Sequence, residues 1–214
     1  MLRVLLIYPR SLRYFVIRAY RELPSTVKPD SPVLLASCDA VRATYTRLEG
    51  NVVTVEIGAA RNFQEVKASL AHELAHVLQF EHGVMPIGGL PPLRALALPL
   101  EVGAEELVLQ ELPDVAVRRL EMGLRRVTGC RTDDPLSELE RSLVLEPLRL
   151  AAERLDVPLY VPEVEPEHPE VAKVKKRLLR RVRRIDPWSP LEVQRYLEDA
   201  WAEVTVLATL SRGA

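Results

Sequence analysis

Between Asn62 and Glu81 the chain runs for twenty residues without a proline or a glycine, although it carries 17 prolines elsewhere. That stretch limits the fold more than any other. Asn62 is followed three residues later by Glu65, the spacing of a reciprocal helix cap, and the residues beyond it are strong helix formers. The segment is therefore predicted to be one long helix. Val66, Leu70, Leu74 and Val77 recur along one side of it, so the helix has an apolar face that does not need its histidines. Three of the chain's four histidines nevertheless fall here or just beyond, at His72, His76 and His82.

On either side of this helix the pattern changes. The segments 2–8, 32–38 and 43–58 are rich in β-branched and aliphatic residues and read as strands, with Ser11 to Leu23 between the first two as a helix stopped by Pro24. The last of these segments folds about Glu49-Gly50-Asn51 as a hairpin. Its second arm, Val53, Val55 and Ile57 against Thr54 and Glu56, suits an edge strand. A Gly/Pro-rich stretch over 83–99 breaks the helical pattern, and a second helix then runs to Pro113. The remainder is mostly helical, interrupted by the Pro- and acid-rich connector 156–170. The expected class is α+β: a small mixed sheet with the helix from Asn62 and the second helix ending at Pro113, over 1–128, followed by an all-α extension over 129–214.

His72-Glu73-Leu74-Ala75-His76 places two imidazoles four residues apart on the predicted helix. They lie about 40° apart around the axis and about 6 Å apart along it, so both can meet one metal ion. Glu73, turned about 100° from His72, sits beside such an ion, within reach of a water. Neutral imidazoles favour zinc among the available ions.

This motif resembles the signature of the zincin metallopeptidases, which implies two zinc ligands at His72 and His76 and a general base at Glu73. Zincin groups differ in the third ligand, and two candidates are present. His82 has the spacing of the metzincin motif, but those proteins turn the chain at a glycine three residues after the second histidine. Here that position is Gln79, and a continued helix rotates His82 about 240° from His76. A histidine near a helix C-terminus, favoured there in its charged form, is the simpler reading of His82. The second candidate is Glu101, in Glu101-Val102-Gly103-Ala104-Glu105, which is similar to the glutamate-helix motif of gluzincins. The resemblance implies Glu101 as ligand and Glu105 as acceptor for the outer nitrogen of His72, with Glu105 itself, Glu106 or His82 as substitutes in the metal site. Over 61–113 the chain is also similar to ImmA/IrrE-type peptidases. The implied protein is a minimal soluble gluzincin, a zinc endopeptidase with one Zn2+ per chain. It would hydrolyse peptide bonds through a metal-activated water with Glu73 as general base.

By the same resemblance, a peptide or protein substrate would pair with the edge strand 51–58. Tyr160, His168 and the Arg118-Arg119 pair are all candidates for a further oxyanion donor. A competing reading comes from Lys173 to Arg184, where eight of twelve residues are basic around an apolar stripe of Val174, Leu178 and Val182. A docked helix with a solvated basic face explains it. So does a zincin-fold regulatory or binding protein whose helical half contacts nucleic acid or an acidic partner. The net charge of −1 gives no general attraction to nucleic acid. Val4–Tyr8 is too short an apolar run for a signal peptide or a spanning helix, so a cytoplasmic protein without a membrane segment is expected. Cys38 and Cys130 lack metal-ligand spacing and read as buried small residues rather than a bridge, although the composition is thermophile-like, a setting in which cytoplasmic disulfides occur.

Overall fold

A computed structural model describes residues 2–4, 10–31, 33–37, 45–49, 52–57, 62–85, 90–129 and 134–212. Cys38, Cys130 and the turn residues Gly50 and Asn51 lie outside them. The described residues form eight α-helices: Arg10–Glu22 (α1), Phe63–Glu81 (α2), Arg94–Glu111 (α3), Ala116–Gly129 (α4), Pro135–Ser142 (α5), Glu146–Arg154 (α6), Pro169–Val182 (α7) and Pro190–Arg212 (α8). Four short strands accompany them: Leu2–Val4 (β1), Val33–Ser37 (β2), Tyr45–Glu49 (β3) and Val52–Ile57 (β4). Among the described residues no helix is long and apolar enough to cross a membrane.

The α+β class expected from the sequence is corrected. Helices make up most of the described residues, and the apolar side chains described as buried lie in them and in the short turns flanking them, with Val33 and Val161 the exceptions, so the described part of the protein is all-α. Alternation of β-branched residues pointed to a sheet-based half, but the strands are only three to six residues long beside helices of eight to 23. Their backbones pair in the order β1-β2-β4-β3, parallel except for the antiparallel β3 and β4. A second correction follows. β4 was expected at an edge, yet β2 pairs with one side of it (Val33 opposite Val53) and β3 with the other (Leu48 opposite Val53). Alternation reports which faces of a strand are wet, not which of its edges are taken.

Two compact units are present: one comprises 1–90 and 107–119, the other 91–106 and 120–214. In the first unit α2 packs against α1 and the strands β3 and β4. Asn62 caps α2 by accepting the Glu65 backbone N–H at 3.0 Å. Phe15 of α1 meets the ring of Phe63 edge-on, with Arg18 over that ring at 4.3 Å. Burial of α2 exceeds the predicted stripe, since every residue from Ala68 to Val77 is buried.

In the second unit, Ala95, Leu98 and Val102 of α3 join Leu139 of α5, Val174 and Leu178 of α7, and Tyr196, Ala200 and Leu207 of α8 in one core. α3 starts two turns earlier than the sequence suggested and runs through Pro99. Proline has no N–H, so the usual donor to the Ala95 carbonyl, four residues back, is missing. The Tyr196 hydroxyl donates to that carbonyl at 2.7 Å instead. At the start of the helix, the Glu140 carboxylate of α5 accepts the Arg94 and Ala95 N–H groups at 2.7 and 3.0 Å. Side chains distant in sequence thus cap and repair α3. Over 135–154 the chain forms two helices, α5 and α6, with Pro147 in the first turn of the second, where its missing N–H needs no intrahelical partner.

Candidate metal centre

Helix α2 presents His72, Glu73 and His76 from a fully buried stretch: His76 is 0% exposed, and His72 and Glu73 are each 5% exposed. Side chains with polar groups survive there only when those groups are engaged. The rings of His72 and His76 stand 4.8 Å apart, centre to centre, and nearly perpendicular at 84°. Glu101, half-buried on α3, completes a group with them, in which one ligand atom from each residue lies within 4.8 Å of the others. Two imidazole nitrogens and a carboxylate oxygen are the donor set of a divalent transition metal. Tetrahedral ligands at about 2.0–2.1 Å from an ion stand about 3.3 Å apart, so small side-chain movements would close the group around it. Among the described residues this is the one His, Cys, Asp or Glu cluster that could hold a metal ion.

The remaining sequence candidates have other roles. His82 is exposed, and its Nδ1 stands 2.7 Å from the Leu78 carbonyl at the end of α2, which agrees with the simpler reading of a C-terminal histidine. Glu106 forms an ion pair with Arg154 at 2.9 Å. Burial lifts its carboxyl above the usual range while Arg154 opposes that rise. Glu105 is buried on α3, 4% exposed. Tyr160 is 85% exposed on the connector, and His168 caps α7 by accepting the Glu170 N–H at 3.2 Å.

Two residues stand against the histidine rings: Gln79, not expected in the site from the sequence, and Arg119, one of the candidate oxyanion donors. Gln79, 0% exposed, sets its Oε1 2.8 Å from Nδ1 of His76. With Nδ1–H donating to that oxygen, the lone pair of His76 is on Nε2, as ligation through Nε2 requires. The signal was in the sequence: an amide three residues beyond a ligand histidine, on the same side of the helix. Arg119, in the first turn of α4, places Nη2 2.9 Å from Nδ1 of His72, the nitrogen expected to face Glu105. A guanidinium only donates, so Arg119 uses the one lone pair of a neutral imidazole. His72 is therefore available to a metal only after Arg119 leaves that nitrogen, either for the ion to bind there or for the ring proton to move to it and free Nε2. No local pattern marks Arg119, since it reaches His72 across 47 residues.

No protein-family model, curated protein or solved structure matches this chain, so the functional reading rests on this geometry.

Proposed function

We propose that the protein is a zinc-dependent endopeptidase in which His72, His76 and Glu101 hold the ion and Glu73 is the general base. The observation that carries this reading is the convergence of those three side chains beside a buried glutamate on the same helix as both histidines. Three protein ligands are the number that catalytic zinc sites use, whereas structural sites are closed by four. Bound there, zinc would supply Lewis acidity toward a water and a carbonyl oxygen. Glu73 would accept the proton of the attacking water and deliver it to the leaving amine. Burial around α2 keeps bulk water from these groups, which strengthens each charge interaction among them. Gln79 fixes the orientation of His76. Arg119, once off the His72 ring, is the side chain we assign to the developing oxyanion.

Purified protein is expected to carry about one zinc per chain by elemental analysis. Glu73→Gln is expected to keep that zinc and abolish hydrolysis of a broad peptide library. Equal inertness of wild type and variant on that library would refute the enzyme assignment.

A further inference from the structure

Eight cations in twelve residues, Lys173 to Arg184, look like a broad positive face, but five of them are paired within the fold. Lys175 is buried, 2.9 Å from Glu146 and 3.2 Å from Glu163. Arg177 forks onto Glu203 of α8 at 2.6 Å, and Arg181 lies 3.3 Å from Glu203 and 3.7 Å from Asp199. Arg183 is 3.4 Å from Glu153, and Lys173 is 2.6 Å from Glu170. Lys176, Arg180 and Arg184 remain, all exposed and, among the described residues, in no ion pair. Lys176 and Arg180 stand one turn apart on α7, and Arg184 follows in the turn just past its end, so the three continue one another as a ridge over about 12 Å.

The ion pairs between α7 and α8 extend this ridge. From Arg177–Glu203 to Arg181–Asp199, four residues forward on α7 correspond to four back on α8, so the two helices run antiparallel. One further step brings Arg195 level with Arg184 and Ile185. Arg195 is exposed, in no ion pair among the described residues, and on the same side of α8 as Asp199 and Glu203.

We propose that Lys176, Arg180, Arg184 and Arg195 form a docking ridge for the phosphodiester backbone of nucleic acid, read without regard to sequence. Strand phosphates rise about 3.4 Å apiece in a duplex, so a 12 Å ridge spans three or four of them. Three of the four cations are arginines, whose guanidinium forks suit phosphate oxygens. The apolar residues of α7, Val174, Leu178 and Val182, are buried in the helical core, and Leu191, one turn before Arg195 on α8, is an exposed apolar side chain beside the ridge. Cations outnumber that single leucine on this face, which fits a phosphate backbone rather than a lipid interface, where a row of apolar side chains inserts.

Fluorescence anisotropy of the full chain with a labelled 20-base-pair duplex, from 25 to 200 mM KCl, tests the proposal. Binding at low salt is expected, with log K falling against log salt at a slope of about −3 to −4, half of what eight free cations would give. The triple variant Lys176→Gln, Arg180→Gln, Arg184→Gln should melt like wild type, bind at least tenfold more weakly at 50 mM KCl, and show a slope near −1. Absence of binding at 25 mM, wild-type affinity in the triple variant, or equal or tighter retention by phosphatidylserine vesicles would overturn it. Glu73→Gln should bind the duplex as wild type does, which separates this result from the peptidase assignment.

Discussion

Replacing Gln79 by leucine isolates what orients His76. Both residues are 0% exposed, and the amide oxygen stands 2.8 Å from His76 Nδ1. Leucine has nearly the same volume but no acceptor, so this contact at the ring N–H is lost. Leaving a buried donor without its acceptor costs about 1–3 kcal/mol, partly offset by burial of the leucine methyls. Loss of a group that orients a metal-binding histidine lowers metal affinity about 10- to 100-fold. Gln79→Glu is the opposite probe. It keeps the shape and offers a charged acceptor, which makes a stronger bond with the ring N–H and raises the basicity of Nε2. Competition for zinc against a chromophoric chelator reads the affinities, and urea melts of the metal-free proteins read the stabilities. The expected order of zinc affinity is Gln79→Glu at or above wild type, with Gln79→Leu at least tenfold below it. If the leucine variant holds zinc within twofold of wild type while remaining folded, the hydrogen bond does not orient His76 and the argument from Gln79 fails.

Three further outcomes are expected. Glu101→Ala should lose zinc while His82→Ala keeps it; elemental analysis showing loss only in the histidine variant would refute the assignment of the third ligand. Arg119→Met should change two readouts in opposite directions, raising zinc affinity several-fold by freeing the His72 lone pair and lowering peptide hydrolysis by removing the oxyanion donor. Unchanged zinc affinity in that variant would show that Arg119 does not compete for the ring. Tyr196→Phe removes the donor to the Ala95 carbonyl and should cost about 1–3 kcal/mol in urea unfolding, whereas a cost below about 0.5 kcal/mol would mean that this carbonyl needs no partner.

What could be read from the sequence follows the distance over which each interaction acts. The cap on α2, the four-residue spacing of His72 and His76 and the place of His82 at the helix end are local, so composition and helix geometry reach them. Glu101 was reachable because its motif and the loop before it are also local. The helical repair around Pro99 was not. Read along the chain, the prolines up to Pro99 break a helix, and the expected helix began after them. In the structure the orphaned Ala95 carbonyl receives a hydroxyl from 101 residues away, and Glu140 caps the first turn from 45 and 46 residues away. Propensity priced the missing hydrogen bond correctly, at a few kcal/mol. It could not know that a buried tyrosine would replace it.

The same limit explains the errors over the strands and the basic helix. Alternating residues in β4 suggested an edge strand, but whether another strand lies on each of its edges depends on partners elsewhere in the chain. Counting cations from Lys173 to Arg184 gave eight, but the effective number depends on Glu146, Glu153, Glu163, Glu170, Asp199 and Glu203, all but Glu170 distant in sequence from the cations of the run that they neutralise. A charged run therefore acts on a partner only through the charges its own fold leaves unpaired. That is why the salt slope, which counts those charges directly, is a sharper test of the ridge than affinity alone.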